Sequence, residues 1–384
     1  MNISSGPNGI NMQWLQDGTQ CEMTSGEAIL VDNLESTYVI AWSKGSIDIQ
    51  GRTINKSLRI VLMISKYARQ GYIQWVKTFD DVESPKPIIA CLDNDDHICI
   101  AYVDNNNVQV TRITPYGHRL WSKKIEGRDL ASPMYNLSMT ADTSIYIAGA
   151  MNGSVFTDEV IKGTSFLTKI TGSGQWDWSK SLPGIIGPSC LATFDKMLVM
   201  CTIDDTETSI CTVDQDNFTT NIYVVTNLEF DQLHNIVIDN CMNVILIGSR
   251  LIGDESGTTT RFIEAISVSP GPECQTINCA CALEVPEFLS AQGILVNGDF
   301  FFLVRLKDRS FLYQNQFLWL SFEDQPTIGY PAMTRNGSSL CLVGTYMMNM
   351  QIKSYNNFYT ILDLQGHEKP SFYATKLRLT QNGY

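Results

Sequence analysis

The sequence lacks the features that mark membrane, secreted and many enzymatic proteins. No run of 18 or more apolar residues occurs, so no segment is long enough to cross a membrane as a helix. The first nine residues, Met1 to Gly9, carry neither the basic start nor the apolar stretch of a secretion signal. We therefore expect a cytoplasmic location.

Motifs for catalysis and nucleotide binding are also missing. The sequence contains no G-x-S-x-G elbow, no P-loop and no dinucleotide-binding fingerprint. It has four histidines, which form no H-x-H or H-E-x-x-H pair: His97, His118, His234 and His367. A serine–histidine–aspartate triad stays open, because its members can be remote in sequence. The sequence predicts no catalytic residue, no cofactor and no cofactor-binding residue.

Basic residues are in deficit, with 27 against 40 acidic ones and a net charge of −13. A negative protein repels the phosphates of nucleic acids and of anionic membranes. We therefore expect neither nucleic acid nor a membrane surface as a partner.

Cysteine is abundant, but its pattern does not predict disulfides or a metal centre. The eleven cysteines are an odd number, and several lie inside apolar runs, as in Ile98-Cys99-Ile100. This pattern is typical of free, buried thiols in a reducing compartment. The tightest group is Cys274, Cys279 and Cys281, whose C-x4-C-x-C spacing lacks the C-x2-C pairs usual for zinc. Buried thiols are the preferred interpretation, and a zinc site is the alternative.

A repeat organises the chain. Trp75, Trp121 and Trp178 each follow a glycine by four residues, and each is followed two residues later by a lysine. Upstream of the glycines, Thr168-Lys169-Ile170 matches Thr111-Arg112-Ile113, and Ser65-Lys66-Tyr67 takes the same place. Weaker copies surround Trp319 and Trp14. Each copy predicts a strand, a glycine turn and a tryptophan-bearing strand.

A second repeating element is a pair of short apolar runs joined by an Asn-, Asp- or Gly-rich turn, as expected for β-hairpins. Seven such pairs occur, at 28–31 with 38–40, 88–92 with 98–100, 135–139 with 145–147, 190–192 with 198–200, 236–238 with 244–247, 293–296 with 300–303, and 332–333 with 340–343. The copies begin roughly 39 to 60 residues apart, which is the range of four-stranded propeller blades. We therefore predict an all-β chain, a single domain over 1–384 with seven four-stranded antiparallel blades.

The N-terminal copy predicts how the ring closes. Trp14 precedes Asp32 by eighteen residues, as Trp75 precedes Asp93, yet no blade lies upstream of Trp14. Residues 10–16 are therefore predicted to complete the last blade, whose third strand is placed near Phe358–Leu362. A rival strand lies at Ser371–Leu377, and the sequence leaves open how both are accommodated.

The pattern resembles the seven-bladed beta-propeller repeats known as SBBP repeats. The best copy is Thr143–Gly149 followed by Phe166–Ile170 and Gly174–Trp178. Proteins of this type occur in bacteria and in large DNA viruses of amoebae, so the resemblance adds host cytoplasm and a virion to the expected locations. It implies a fold and an interaction role, and no reaction.

The acidic residues of the predicted hairpin turns are the remaining candidates for a metal site. Carboxylates and carbonyls are the ligands that calcium prefers, and Asp93-Asn94-Asp95-Asp96 is the densest group. The group lacks D-x-D-x-D-G spacing, and hairpin turns use the same residues. The turn interpretation is preferred, and no metal ligand is predicted.

The resulting prediction is a non-enzymatic propeller, either a protein-interaction platform or a structural, virion-associated component. It would have protein partners and would be a monomer in isolation. The expected contact loops are Thr202–Thr219, Ile252–Thr260 and Tyr346–Asn357. The alternative is a glycan-binding or glycoside-hydrolysing propeller that uses its axial pocket.

Overall fold

The computed structural model describes most of the chain between Ile10 and Leu379. The described residues are 10–18, 23–54, 59–82, 88–104, 107–128, 135–182, 190–194, 196–203, 208–216, 218–225, 230–238, 243–253, 259–269, 275–284, 288–296, 299–306, 310–314, 317–323, 327–328, 332–333, 339–346, 350–354, 359–364 and 371–379. This part of the chain consists of strands and turns, without helix. It therefore also contains no helix long and apolar enough to cross a membrane.

The strands of the first half of the chain are β1 Ile10–Gly18, β2 Met23–Val31, β3 Thr37–Lys44, β4 Ile47–Ile49, β5 Arg52–Ile54, β6 Ile60–Tyr67, β7 Ile73–Val82, β8 Ile88–Leu92, β9 Ile98–Asp104, β10 Asn107–Ile113, β11 Arg119–Arg128, β12 Tyr135–Ala141, β13 Ser144–Phe156, β14 Val160–Thr171, β15 Trp176–Ser181 and β16 Cys190–Phe194. Those of the second half are β17 Met197–Ile203, β18 Thr208–Asp214, β19 Thr220–Val225, β20 Gln232–Ile238, β21 Val244–Gly253, β22 Thr259–Ser269, β23 Gln275–Glu284, β24 Phe288–Val296, β25 Asp299–Leu306, β26 Ser310–Gln314, β27 Phe317–Glu323, β28 Thr327–Ile328, β29 Ala332–Met333, β30 Ser339–Tyr346, β31 Met350–Ser354, β32 Tyr359–Leu364 and β33 Ser371–Leu379.

The chain divides into two compact units, of which the second is continuous in sequence, Ile88–Pro286. It contains four antiparallel meanders in chain order: β8 to β11, β12 to β15, β16 to β19 and β20 to β23. A short pairing of β11 with β13 joins the first two into one larger sheet. Each meander has the strand order that the repeat predicts.

The first unit combines both ends of the chain, Met1–Pro87 and Glu287–Tyr384. It contains the meander β2-β3-β6-β7, with the small hairpin β4–β5 inserted between β3 and β6. It also contains β24 to β27, extended by β31 and β32, and a sheet in which β1, β33 and β30 are neighbours and β28 and β29 pair with β30.

The seven predicted hairpins are confirmed as strand pairs. Each is antiparallel: β2–β3, β8–β9, β12–β13, β16–β17, β20–β21, β24–β25 and β29–β30. The lysine- or arginine-bearing strands also pair with their tryptophan strands, placing Lys66 opposite Trp75, Arg112 opposite Trp121 and Lys169 opposite Trp178. A period-two apolar pattern and glycine turns were sufficient to locate these elements.

The N-terminal strand pairs with the C-terminal one. β1 is antiparallel to β33 from Ile10 opposite Leu379 to Gly18 opposite Phe372, and β33 pairs with β30 on its other side. The third strand of this sheet is therefore the rival segment, and the prediction of Phe358–Leu362 was wrong. Tyr359–Leu364 forms a hairpin with β31 instead, and β31 pairs with β27.

The predicted contact loops are largely strands. Within Thr202–Thr219, Thr208–Asp214 is β18, a central strand of its sheet. Within Tyr346–Asn357, Met350–Ser354 is β31. Ile252–Thr260 spans the tip of the β21–β22 hairpin, and its residues 254–258 lie outside the described part. The long spacings thus reflect additional or longer strands as much as exposed loops.

Apolar side chains between neighbouring sheets form the cores. In the second unit, Val110 of β10 and Phe166 of β14 belong to one buried cluster, and Met200 and Leu167 to another. In the first unit, Val39 and Met63 share a cluster with Cys341 and Ala374, whose strands belong to the sheet that β1 completes. Face-to-face packing hides the sheet surfaces that one meander alone would expose.

Candidate functional site

The turn between β2 and β3 carries the first of three turn aspartates, of which Asp32 and Asp93 are buried. One Asp32 carboxylate oxygen accepts hydrogen bonds from the backbone N–H of Leu34 and Ser36, at 3.0 and 2.7 Å. The other accepts from the Tyr38 hydroxyl at 3.0 Å and lies 3.2 Å from Lys66 Nζ. The Lys66 ammonium also lies 4.7 Å from the centre of the Tyr38 ring. The buried charge is therefore paired and its oxygens are hydrogen-bonded, as burial requires.

The second repeat uses arginine in place of lysine. Asp93, between β8 and β9, accepts hydrogen bonds from the backbone N–H of Asp95 and His97, each at 2.9 Å. Arg112 Nε and Nη2 both donate to Asp93 Oδ2, at 2.8 and 2.5 Å. Both side chains are buried. Two charge-assisted bonds from one planar guanidinium hold the turn more rigidly than one ammonium could.

The third repeat distributes the same groups differently. Asp142 accepts from the Ser144 backbone N–H at 2.6 Å and from the Tyr146 hydroxyl at 3.4 Å. Lys169 pairs with Asp177 at 2.9 Å and lies 5.8 Å from the centre of the Tyr146 ring. Burial, followed by the nearby Asp142 charge, raises the pKa of Tyr146 above its usual value. The turn aspartate and the third-strand cation are therefore shared structural elements of these repeats.

The acidic turn between β8 and β9, whose carboxylates are of the kind that calcium prefers, already uses Asp93 in these contacts. Donor atoms of Asp93, Asp95 and His97 lie within 4.8 Å of one another, which is close enough for one cation. However, Arg112 already neutralises Asp93, and His97 Nδ1 lies 3.2 Å from the same carboxylate. A metal ion would have to displace a buried guanidinium. The contacts therefore favour the turn interpretation of this sequence.

The tryptophans pack against the neighbouring repeat. Trp121 of β11 donates from Nε1 to the Gly172 carbonyl at 3.0 Å, and Arg112 Nη1 donates to the same carbonyl. A Cβ at Gly174 would lie 2.7 Å from the Trp121 ring, so the indole rests directly on this turn. In the following pair of sheets, Trp178 meets the Phe218 ring edge-on at a centroid distance of 5.0 Å. These two tryptophans are therefore packing residues.

Three of the four histidines lie in the part of the chain that the structure describes. His97 and His118 lie beside the turns that precede β9 and β11, whereas His234 is the third residue of β20. His234 Nε2 is 3.0 Å from Ser249 Oγ, the spacing of a catalytic pair. Ser249 is completely buried, so a substrate could not reach its hydroxyl. His367 lies outside the described residues.

The thiol group predicted from sequence is only partly visible. Cys279 and Cys281 lie on β23, but their side chains, like Cys274, are outside the described part. Among the described cysteines, Cys99, Cys201, Cys211 and Cys341 are buried. Burial raises the pKa of the Cys211 thiol to about 12. A hydrogen bond between the Cys99 and Cys91 thiols, followed by burial, raises the pKa of Cys99 as well.

We expect Cys211 to resist alkylation until the protein unfolds. Raising a pKa from 9.0 to about 12 lowers the thiolate fraction about a thousandfold at pH 8.5, and burial further blocks access. Peptide mapping after iodoacetamide treatment, with and without denaturant, measures this, and half-buried Cys91 is the internal comparison. Equal labelling of both thiols in the native protein would contradict the burial.

The raised pKa of Cys211 also makes the free energy of unfolding depend on pH. Because the pKa of Cys211 is higher in the folded protein than in the unfolded chain, its contribution to stability is complete below pH 9. This contribution is lost as the pH rises from 9 toward 12, where the unfolded thiol ionises first.

Comparison with known proteins finds similarity only at the level of structure. No family model matches the sequence, and no curated protein matches it. The structure is similar to the computationally designed Ika8 protein, with 12% identity, 94% of this chain and 98% of that one covered, and a TM-score of 0.49. It is similar to the Dos1 propeller, with 9% identity, coverages of 96% and 94%, and a TM-score of 0.47.

A third similar structure is the Cps50 (Swd1) β-propeller domain of Myceliophteria thermophila. It shares 10% identity, with 78% of this chain and 98% of that chain covered and a TM-score of 0.45. Two of these three structures are thus propellers by description. All three TM-scores are below 0.5.

Proposed function

We propose that the protein is a non-enzymatic, single-domain seven-bladed β-propeller of the SBBP type that acts as a protein-interaction platform. The repeated four-stranded meander supports the blade assignment, with four copies in one unit and three related sheets in the other. The pairing of β1 with β33 supports closure of the ring by the N-terminal strand. A location in host cytoplasm or in a virion is part of the same proposal.

The interaction role is supported by large apolar side chains that are exposed on neighbouring turns. In the meander β2-β3-β6-β7, the turns after β2 and β6 lie at the same end, since Thr37 pairs with Tyr67. Leu34 and Tyr72 in these turns are 79% and 71% exposed, and an ion pair of 3.1 Å between Glu35 and Arg69 ties the turns together.

In the meander β8 to β11 of the second unit, the corresponding turn also exposes a large side chain. Tyr116, in the turn after β10, is 75% exposed, whereas Asp93, in the neighbouring turn between β8 and β9, is buried. Charged groups thus stabilise the turns from within, and apolar groups face outward. Large exposed apolar side chains on rigid turns are typical of protein contact surfaces.

We expect the double substitution Leu34→Asp with Tyr72→Asp to abolish recovery of the native partner. Two carboxylates at a desolvated apolar contact should weaken binding at least tenfold, while surface substitutions change stability by only about 0.5 kcal/mol. The measurement is quantitative mass spectrometry of proteins that copurify with tagged protein from its native source.

The matched control is Val160→Asp, which places a carboxylate at another exposed apolar residue. Partner recovery should be unchanged by this variant. The proposed surface would be overturned if the wild-type protein, the double variant and Val160→Asp all recovered the same amount of partner. Isolation of the protein from its native source as a lone monomer would also overturn it. A glycan array and chromogenic glycosides test the alternative glycan-directed role with the same material.

A further inference from the structure

β19 is unusual among the last strands of the repeats, the strands that take the position of the tryptophan strand. These strands are β1, β7, β11, β15, β19, β23 and β27, and each except β19 contains at least one charged residue. β19 reads Thr-Asn-Ile-Tyr-Val-Val. By register, Tyr223 stands where Lys180 stands in the preceding repeat, since their partners Ile210 and Leu167 are equivalent. The lysine shared by the tryptophan strands is therefore replaced by an aromatic residue.

This strand is also a sheet edge with an exposed apolar face. Among the described residues, β19 pairs with β18 alone. Ile222 and Val224, which alternate onto one face, are 49% and 42% exposed. Natural edge strands are usually protected by charge, proline or a covering strand, because an open edge can pair with another chain. β19 has none of these protections in the described structure.

At an equivalent position in another repeat, the fourth strand is paired with an additional strand. β27 is also a last strand, and β31 pairs with it antiparallel, with Ser321 opposite Lys353 and Phe322 opposite Ile352. The added strand thus combines apolar and basic side chains. The fold therefore tolerates a fifth strand beside the fourth.

Charge selects among the possible occupants of β19. The chain carries a net charge of −13, so a second copy would be repelled, whereas a basic segment would be attracted. β19 itself contributes no charge that would oppose either sign. We propose that β19 binds an extended basic segment of a partner protein, which pairs antiparallel with its edge and covers Ile222 and Val224. This proposal rests on the interaction role proposed above and names the chemistry of one partner.

The direct test uses a synthetic peptide, Arg-Thr-Val-Thr-Ile-Thr-Val-Arg, labelled with fluorescein. Anisotropy should report saturable binding, and hydrogen exchange should show protection at residues 220–225 in the complex, because main-chain bonds form along the edge. Replacing both arginines of the peptide by glutamate, or its central isoleucine by proline, should weaken binding at least tenfold. Absence of binding, or protection elsewhere only, would overturn the proposal.

The protein variants use the residues that distinguish β19. The double variant Ile222→Lys with Val224→Lys should lose peptide binding at least tenfold, because it places two positive charges on the face that the basic peptide would cover. Val160→Lys, at a valine 50% exposed on β14, is the matched control and should bind normally. Thermal melting verifies that both variants are folded. Unchanged binding by the double variant would refute the site.

Two further outcomes separate this proposal from its alternatives. Concentration-dependent dimers that disappear in the double variant would assign the edge to self-association and refute the basic partner. If the native partner is recovered normally with the double variant but lost with the Leu34 and Tyr72 substitutions, the strand-pairing proposal fails while the interaction platform stands.

Discussion

Arg112→Ala is expected to lower the free energy of unfolding by about 3–5 kcal/mol, the cost of removing one partner from a buried ion pair. The substitution leaves the Asp93 carboxylate buried without its two guanidinium bonds, and it removes a donor to the Gly172 carbonyl of the next repeat. Denaturant unfolding followed by tryptophan fluorescence and by circular dichroism measures the change.

Two variants identify the cause of that loss. Lys124→Ala, in β11 of the same meander, removes a half-exposed ion pair with Glu126 and should cost only about 0–1 kcal/mol. The double variant Asp93→Ala with Arg112→Ala should be more stable than Arg112→Ala alone, since no buried charge is then left unpaired. If the double variant loses the sum of both single effects, the ion pair is not the source of the stability.

Gly174→Ala is expected to have the second largest effect, about 2–5 kcal/mol, from left-handed strain added to overpacking. Gly174 has a φ of +85°, and an added Cβ would lie 2.7 Å from the Trp121 ring. The indole is held by its bond to the Gly172 carbonyl, so it cannot move away freely. Chemical denaturation compares this variant with the wild-type protein.

Gly51→Ala isolates the strain from the clash. Gly51 also has a left-handed φ, of +72°, but an added Cβ would meet nothing within 4 Å. Its substitution should therefore cost only about 1–2 kcal/mol, the strain alone. Adding Trp121→Leu to each glycine variant should partly rescue Gly174→Ala and leave Gly51→Ala unrescued. Equal costs for the two glycines would mean that the indole does not rest on this turn.

The strand pairs were predictable because their signals are local. A turn aspartate, an apolar run of period two and a glycine before a tryptophan each act within a few residues, so sequence spacing locates them. The choice between Phe358–Leu362 and Ser371–Leu377 was not local. Both are apolar strands, and only the pairing of Ser371–Leu379 with both β30 and β1 decides between them.

The partners of the buried charges could be predicted only in part. The repeat aligned Lys66, Arg112 and Lys169, but no sequence signal showed that the first two reach their turn aspartates while Lys169 pairs with Asp177. The difference depends on side-chain reach and on neighbours such as Tyr38. The uncharged edge of β19 was visible in the sequence, but its significance appears only when its register is compared with that of the other last strands.

The pairing of β1 with β33 has a consequence for synthesis on the ribosome. Each second-unit meander can form soon after its own four strands emerge, because its contacts are close in sequence. β1 is made before β2 to β32, yet its partner β33 appears only after everything between Gly18 and Ser371 has been translated. Throughout that interval, β1 is an unpaired strand beside growing sheets. A strand synthesised before β2 to β32 is thus among the last to reach its native pairing, and this delay exposes a segment that chaperones could protect.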